Sequence, residues 1–377
     1  MGPQRRALLG GARRALLAAT GLVPLLGLAP MAAGAEPVRR GRALVFPRDH
    51  GAHPDAAIEW WYATGWLGAF DAPTHGFQVT FFRSRTPIDA AGSTSRYAPR
   101  QILFAHAALT DLAARTHRHA ERIARWDGRR LEAPAFAAED DARVRIGAWT
   151  WQREDGPPVR WRARLPGDPA LDVTLARTQP VLLQGDAGWS RKGPAEVQAS
   201  HYYSEPQLAA EVQTGTGAQA VRRGGRAWLD HEWSDVLMHP EAVGWDWIGI
   251  NLADGGALTA FRLRRADGTA LWAGGSLRDG RGSLTVFGAA DVTYAASGRA
   301  WTSPATRARY PVQWTVTTPA GRWQVAALLD AQEIDARGST GTIYWEGLAE
   351  LRDERGQRVG LGYLEMTGYA ERLRLGA

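Results

Sequence analysis

Residues 59–67 read Glu-Trp-Trp-Tyr-Ala-Thr-Gly-Trp-Leu, a run rich in aromatic side chains and without the apolar spacing of a helix. Aromatic and β-branched side chains favour strands because they pack well on a pleated surface. Comparable runs recur along the chain, and turn signals such as Asp127-Gly128 and Asp254-Gly255 separate many of them. The pattern predicts an all-β chain of short strands, folded as a sandwich or a barrel.

Ten segments carry the clearest strand pattern. They span 59–67, 77–83, 102–110, 159–165, 171–176, 245–252, 258–264, 312–317, 323–329 and 343–351.

An internal repeat of aromatic positions relates the two halves of the chain. Trp60 and Tyr62 are matched by Trp245 and Trp247, 185 positions later. Further blocks match in the same order at shorter offsets: Thr80 with Thr259 at 179, Trp149 with Trp301 at 152, Trp161 with Trp314 at 153, Tyr202 with Tyr344 at 142, and Asp230 with Glu365 at 135. A preserved order with shortening loops is typical of a duplication. We therefore predict two related domains, 36–237 and 238–377, with the boundary near His239-Pro240.

Two features favour a lined ligand cavity. The chain contains 17 Trp against 9 Tyr and 9 Phe, and Trp joins a large apolar ring to an N–H donor. Dense packing of barrel cores explains the same count equally well. The extra length of the first domain lies in polar stretches at 84–99 and 186–199, and long loops often form rims or lids. We expect aromatic walls that enclose an apolar chamber in each half.

The first 35 residues predict a cleaved export signal. Four Arg residues, at positions 5, 6, 13 and 14, precede an apolar stretch at 15–28, and Ala33-Gly34-Ala35 is a small-residue cleavage site. The apolar stretch is too short for a stable membrane span. The pair Arg13-Arg14 leaves the twin-arginine and the general secretory routes both open. We expect a periplasmic or secreted protein.

Composition excludes several functional classes. The chain contains no Cys, which removes disulfides, thiol catalysis, cysteine zinc sites and a lipid-modified cysteine. The formal charge of +6 includes four Arg from the predicted signal, and the remaining basic residues are scattered. Lys192 is the only lysine. Since no basic block or stripe is present, we expect no nucleic-acid partner.

Conventional hydrolase motifs are absent from the sequence. It contains no G-x-S-x-G elbow, no H-E-x-x-H and no phosphate-binding glycine loop. The hypothesis of a secreted hydrolase that uses Ser190 or Ser204 is therefore not supported by any motif. We also expect no cofactor.

The densest polar cluster reads Asp230-His231-Glu232-Trp233-Ser234-Asp235. Strand alternation places His231 and Trp233 on one face and Asp230 and Glu232 on the other. A His beside a Trp on an inner wall is suited to acid–base chemistry or ligand anchoring. Solvated acids at a strand end with a hydrogen-bonded His are the alternative.

Two acids lie among large aromatic residues. Glu59 precedes Trp60-Trp61-Tyr62, and Asp246 separates Trp245 from Trp247. A carboxylate in such surroundings is partly desolvated, so its pKa rises and it can donate a proton near neutral pH. If the acids point outward, they have no such role.

Other candidates for a cavity wall are histidines and tyrosines. His106 lies between small residues, and His201 precedes Tyr202-Tyr203. Hydrogen-bonded core histidines would give the same pattern. The spacing of His106, His201, His231 and Asp230 specifies no metal, and we expect none. The predicted ligand-binding residues are Glu59, Trp60, Tyr62, His106, His201, Tyr203, Trp245 and Trp247.

These residues resemble the AttH-like superfamily, which includes the carotenoid 1,2-hydratases (hydroxyneurosporene synthases) and proteins described as secreted hydrolases. The resemblance rests on Glu59-Trp60-Trp61-Tyr62, Phe104-Ala105-His106, Ser200-His201-Tyr202-Tyr203 and 228–233, and runs from about His53 to about Tyr369. It implies a fold of two lipocalin-like β-barrels.

The resemblance also implies water addition to an isolated C=C bond. The hydratase pattern uses a His-x-Trp pair, matched by His231 and Trp233, with a Tyr and an Asp on the following strand. That strand here reads Leu-Thr-Ala-Phe-Arg at 258–262 and has neither. His231 would position water or act as the base, and Asp230, Glu232 or Asp246 would be the acid.

A non-enzymatic role is the second hypothesis. The chain would then carry an isoprenoid or fatty-acid-like ligand across the cell envelope, with an ABC-type permease as the partner that the resemblance suggests. Barrels with apolar interiors bury such ligands well.

Overall fold

Three consecutive aromatic residues, Trp60, Trp61 and Tyr62, lie near the start of the first long strand, β1, at Ile58–Gly68. The computed structural model describes residues 38–86, 99–128, 131, 133–236 and 238–373. The predicted signal and its cleavage site therefore lie outside the described residues, as does most of the predicted rim at 84–99. In the described part, no helix is long and apolar enough to cross a membrane.

The first sheet is antiparallel and runs in the order β4-β3-β2-β1-β13-β12-β9-β8-β7-β6-β5, with β10 and β11 added to β12. Because β4 also approaches β5 and β6, the sheet curls into a nearly closed barrel. Its strands are β1 (Ile58–Gly68), β2 (Pro73–Arg85), β3 (Gln101–Asp111), β4 (Thr116–Trp126), β5 (Ala135–Ala137), β6 (Arg143–Ile146), β7 (Trp149–Glu154), β8 (Arg160–Leu165), β9 (Leu171–Ala176), β10 (Leu182–Leu183), β11 (Trp189–Arg191), β12 (Ala199–Thr214) and β13 (Val221–Ser234). Short 3-10 turns lie at Arg48–His50 and Gly217–Gln219.

The second sheet repeats this order as β17-β16-β15-β14-β25-β24-β22-β21-β18, with β23 added to β24 and a small β19-β20 pair apart from it. Its strands are β14 (Gly244–Leu252), β15 (Ala257–Arg264), β16 (Ala270–Arg278), β17 (Leu284–Phe287), β18 (Thr293–Ala296), β19 (Trp301–Thr302), β20 (Arg309–Tyr310), β21 (Gln313–Thr318), β22 (Gly321–Ala327), β23 (Glu333–Ala336), β24 (Thr342–Arg352) and β25 (Arg358–Thr367). The all-β, tandem-barrel fold predicted from the sequence is confirmed.

Strand register supports an internal duplication. Thr64 pairs with Trp228 in the first sheet, and Gly249 pairs with Tyr363, the positions 185 and 135 later, in the second. The match at Trp149 is wrong in detail. Trp149 begins β7 of the first sheet, whereas Trp301 lies in the separate β19-β20 pair. Residues 235–243 link the two sheets within one compact unit, 35–377, and the division of that unit at 237 and 238 stays a prediction.

Large side chains occupy the inside of each sheet. In the first they include Trp61, Trp149 and Trp161, and in the second Trp314 and Trp345. A third cluster, rich in Trp and Tyr, lies where the two sheets face each other. The expectation of one apolar chamber in each half is therefore corrected: the aromatic-lined space lies between the sheets.

The segment before β1 packs into the first sheet. Asp49 accepts two hydrogen bonds from the Arg42 guanidinium at 3.0 Å each, and the Trp61 indole donates to the carbonyl of His50 at 2.9 Å. Asp49, His50 and His53 are all buried. The segment thus closes the interior of the first sheet with a hydrogen-bonded polar plug.

Candidate active site

A cleft lined mostly by apolar and aromatic side chains lies between the two sheets. One wall comes from β1, β2, β3, β12 and β13, and the other from β14, β15, β24 and β25, so both repeats contribute equivalent strands. The lining residues that carry polar groups are Tyr62, Thr80, His106, Lys192, Tyr202, Asp230, Glu232, Thr340, Thr342, Tyr344, Glu346, Glu365 and Thr367.

Strand alternation decides which residues reach the cleft. On β1, Trp60 and Tyr62 line it, whereas Trp61 packs in the core of the first sheet. On β13, Asp230 and Glu232 line it, whereas Trp233 packs inside. The alternation predicted for residues 230–233 is confirmed.

Aromatic rings form most of the remaining lining. Tyr62 of the first sheet meets Trp247 of the second edge-on, with ring centroids 5.5 Å apart. Trp245 and Trp60 also face the space. Such rings bury apolar ligands and present electron-rich faces to a positive charge.

Two acids lie opposite each other on neighbouring strands. Glu346 of β24 pairs in register with Glu365 of β25, and both line the cleft. Burial and the facing carboxyl of Glu365 raise the pKa of Glu346 well above its ordinary value. Burial raises the pKa of Glu365 to about 7, although the Trp245 indole donates to it at 2.9 Å. Because the pKa of both acids is raised, the pair holds a proton near pH 7, and Oε1 of Glu346 has no hydrogen-bond partner among the described residues.

Asp230 is a fixed acceptor that is only 4% exposed. Tyr202 donates to its Oδ2 at 2.8 Å, and Ser204 and Trp228 donate to Oδ1 at 2.5 and 2.7 Å. Burial raises the pKa of Asp230 to about 7 despite these donors, which favour the ionised form. The three donors hold the carboxyl in place and aim the Tyr202 hydroxyl.

A buried ion pair lies beside these acids. Glu232 Oε1 is 3.0 Å from Nζ of Lys192, and both residues line the cleft. Glu232 is therefore the acid of the cleft that has a cation as its direct partner.

His106 links the two halves at the cleft. Its Nδ1 lies 2.7 Å from the Tyr344 hydroxyl and its Nε2 2.9 Å from Oγ of Ser339. Burial and the nearby His119 lower the pKa of His106 to about 3. The ring is therefore neutral near pH 7.

A second polar cluster lies inside the first sheet. Glu59 accepts hydrogen bonds from His53 Nδ1 at 2.7 Å, His231 Nε2 at 2.9 Å and Arg83 Nε at 2.8 Å. Burial alone would raise the pKa of Glu59, but these three partners hold it well below its ordinary value. Burial lowers the pKa of His231. His231 Nε2 donates to Glu59, and its Nδ1 lies 3.1 Å from the backbone carbonyl oxygen of Asp49 and 3.2 Å from the Tyr203 hydroxyl.

The same cluster is where a metal ion could sit. Ligand atoms of His53, Glu59 and His231 all lie within 4.8 Å of one another, close enough for a shared cation. Yet Oε2 of Glu59 already accepts hydrogen bonds from Arg83 and from the backbone N–H of His53. Because these donors already satisfy the carboxylate and Arg83 repels a cation, we interpret the cluster as structural.

Asp246 occupies the equivalent interior of the second sheet. Its carboxylate is paired with Arg262 at 2.7 Å and Arg264 at 3.1 Å, and it accepts from the Tyr369 hydroxyl at 2.9 Å. It is fully buried and does not line the cleft between the sheets.

Comparisons with known proteins place this architecture in a family. The profile of the AttH-like family matches residues 37–369. The chain belongs to the AttH-like family. A candidate AttH protein from Nitrosomonas europaea is 42% identical, with a TM-score of 0.80 over 88% of this chain and 99% of that one.

More distant structures share the fold alone. Kievitone hydratase from Nectria haematococca is 13% identical, with a TM-score of 0.65 over 90% of this chain and 97% of that one. CghA in complex with Sch210972 is 14% identical, with a TM-score of 0.53 over 91% and 97%. No curated protein matches the AttH-like chain.

The candidate residues of the AttH-like chain divide into two environments. Those that the structure brings together at the cleft are Asp230, Glu232, Trp60, Tyr62, His106, Trp245 and Trp247. Those held in sheet interiors are Glu59, His201, Tyr203, His231 and Trp233 in the first and Asp246 in the second. The His231–Trp233 pair and the acids beside it therefore face opposite sides of β13.

Sequence reasoning missed Glu346, Glu365, Tyr202 and Lys192 as members of one site. A signal for one of them was present, because the internal repeat aligns Glu365 with Asp230. The repeat thus relates an acidic position of the first half to an acidic position of the second.

Proposed function

We propose that this AttH-like chain is a hydratase-type enzyme. It protonates a C=C bond of an uncharged, apolar small molecule held between the sheets and adds water to the cation that forms. The observation that carries the proposal is the Glu346–Glu365 pair, which keeps a protonated carboxylic acid in an aromatic-lined cleft.

Glu346 is the proton donor in this proposal. Its proton adds to one alkene carbon and leaves a carbocation at the other, and the negative charge left on the Glu346–Glu365 pair offsets that cation. Faces of Trp60, Trp245 and Trp247 are available to stabilise the same charge. Proton transfer of this kind requires an acid that is neutral near pH 7, which the raised pKa of Glu346 supplies.

Glu232 is the base. A water molecule attacks the cation and gives up one proton, so that alkene plus water becomes an alcohol. Glu232 is suited to accept that proton because it lines the cleft and its Oε1 lies 3.0 Å from the Lys192 ammonium, which offsets the charge of a carboxylate. We assign no water-activating role to His231, because its nitrogens are engaged with Glu59 and Tyr203 inside the first sheet.

Kinship supports the reaction class without fixing the substrate. A hydratase shares the fold, although at only 13% identity. Isoprenoids, including the acyclic carotenoids that the sequence resemblance suggested, are the first substrates to test. From the leader-like residues 1–35 we also propose that the activity lies outside the cytoplasm.

The test is isotope incorporation. The purified protein is incubated with an acyclic carotenoid, geranylacetone or β-farnesene in ¹⁸O-water and, separately, in deuterium oxide, and products are analysed by mass spectrometry. We expect an ¹⁸O-labelled alcohol, or deuterium at the alkene carbon where hydration is reversible. Glu346→Gln should lower the rate at least ~100-fold, the scale of a lost general acid. Glu350→Gln, on the same strand but paired with Arg352 and Arg358 away from the cleft, should retain activity.

A ligand carrier is the second candidate, favoured by the apolar, aromatic lining of the cleft. Tight binding of the same probes with neither label incorporated would select the carrier and contradict the hydratase. Export of the bound probe would then call for a permease partner.

A further inference from the structure

Lys192 is the only lysine in the 377 residues, and it lies in the cleft. The other basic side chains among the 45 Lys and Arg residues are all Arg. Lys192 follows β11 directly and is only 7% exposed. Lysine is among the residue types least often buried, so its placement calls for a specific explanation.

The Lys192 ammonium lies between the two sheets. Its Nζ is 4.6 Å from the ring centroid of Tyr202, in the first sheet, and 4.4 Å from that of Phe261, in the second. Glu232 is 3.0 Å away. An ammonium has three N–H donors, and in the described part of the chain its recorded contacts are one carboxylate and two ring faces. Donor capacity therefore remains for a ligand in the cleft.

The backbone around Lys192 is held in place from both sides. The Lys192 N–H donates to the carbonyl of Gln198 at 2.6 Å. The Arg191 carbonyl accepts the Trp272 indole N–H at 3.1 Å, and the Arg191 guanidinium lies over the same Trp272 ring at 4.5 Å. The long predicted loop at 186–199 thus delivers one donor at a fixed point, as preorganised recognition requires.

The charges of the cleft decide what this donor can bind. Lys192 shares the lining with four carboxyl groups, those of Asp230, Glu232, Glu346 and Glu365. A ligand carboxylate would compete with Glu232 for the Lys192 ammonium, and it would add a negative charge beside acids whose pKa burial already raises, so it is disfavoured. An uncharged acceptor oxygen meets no such opposition and can take an N–H from the ammonium.

We propose that Lys192 binds an uncharged carbonyl oxygen of the substrate and is a specificity-determining residue of the cleft. This deepens the proposed function, on which it rests, by naming the substrate class. The substrate is an oxygenated, unsaturated apolar molecule, and a pure hydrocarbon is a poor ligand. Because Lys192 is ion-paired with Glu232, it acts as a hydrogen-bond donor and forms no imine with the carbonyl carbon.

The experiment compares three probes of similar skeleton on the intact protein: geranylacetone, a ketone; β-farnesene, a hydrocarbon; and geranic acid, a carboxylate. Binding is measured by quenching of tryptophan fluorescence and by calorimetry. The wild type should bind the ketone at least ~10-fold more tightly than the hydrocarbon, the scale of one hydrogen bond to a charged group. Lys192→Met should remove this preference and leave farnesene affinity within ~3-fold, whereas Lys192→Arg should keep part of it.

Each outcome decides the proposal. If the wild type fails to prefer the ketone, binds neither probe or prefers geranic acid, the proposal is overturned, even if Lys192→Met does not fold. A ketone adduct trapped by borohydride would also overturn it, because it would require a free amine. Ketone preference without isotope incorporation would leave this inference standing and refute only the hydratase reaction.

Discussion

Replacing Asp230 with Asn tests whether burial or hydrogen bonding controls the acid at the centre of the cleft wall. Burial raises the pKa of Asp230 from an ordinary 3.8 to about 7, and each pKa unit corresponds to about 1.4 kcal/mol. The folded pKa lies above the unfolded one, so the protonated acid stabilises the fold fully below pH 3.8. This stabilisation is lost as the pH rises through 7. The total is roughly 4 kcal/mol, of which about 3 kcal/mol falls between pH 5 and 8.

The assay is urea unfolding followed by tryptophan fluorescence at several pH values from 5 to 8. We expect the free energy of unfolding of the wild type to fall, relative to Asp230→Asn, by about 3 kcal/mol over this range. Asp55→Asn, at an exposed position, is the control and should follow the wild type. Parallel profiles for the wild type and Asp230→Asn would refute the reasoning. They would mean that the donors Tyr202, Ser204 and Trp228 keep Asp230 ionised throughout.

Three further predictions concern packing and the buried clusters. In Gly225→Ala the new Cβ would lie 1.8 Å from the Trp66 carbonyl oxygen, whereas in Gly224→Ala the nearest atom is 3.9 Å away. Urea unfolding should show a loss of about 1–3 kcal/mol or more for the first only, and equal losses would contradict the register. Arg83→Met leaves Glu59 without its guanidinium partner and should lower the free energy of unfolding by about 3–5 kcal/mol. Adding Glu59→Leu should recover part of this loss. A double variant no more stable than the single variant would count against the importance of the ion pair. His231→Ala should lower thermal stability but leave the Kd for geranylacetone unchanged, and a weakened Kd would return His231 to the site.

The strand pattern revealed most of the fold because alternation and turn chemistry act locally. All ten predicted strands exist, with ends displaced by a few residues. The long strand β12 was missed because Pro206 interrupts its pattern. The structure accommodates this with a bulge between Glu205 and Leu208, where Gln207 adopts a φ of 59° and its N–H donates to Asn251 in the second sheet. A contact across 44 residues cannot be read from local sequence.

The site was less accessible to sequence reasoning because it lies between two sheets. Period-2 alternation predicts that the side chains of neighbours such as Asp230 and His231 lie on opposite faces of the sheet. It does not predict which face packs against the other repeat. The outward face of the first sheet is buried by the second sheet, so Trp60 and Trp247 line the same cleft from opposite walls although 187 positions separate them. The inward faces are filled by large side chains such as Trp61 and Trp345. The many Trp residues are therefore divided between the two cores and the cleft.

The plug inside the first sheet clarifies the family motif. Glu59 and His231, both within the segments that carry the AttH resemblance, contact each other and the segment at 42–57. Buried charges that satisfy one another fix one arrangement, since removing any partner leaves another unpaired. The resemblance at these positions therefore concerns how the first sheet is closed, and the proposed reaction uses the neighbouring residues of the opposite face.

Since Lys192 is the only lysine, the cleft contains the only side-chain amine of the chain. Besides the α-amino group, amine-directed reagents have one side-chain target, Lys192. Because the Lys192 ammonium is ion-paired with Glu232 and only 7% exposed, its reaction with such reagents requires the cleft to open and the pair to separate. The rate of labelling at this single position would therefore report how often the cleft opens, and slower labelling in the presence of a bound compound would report its occupancy.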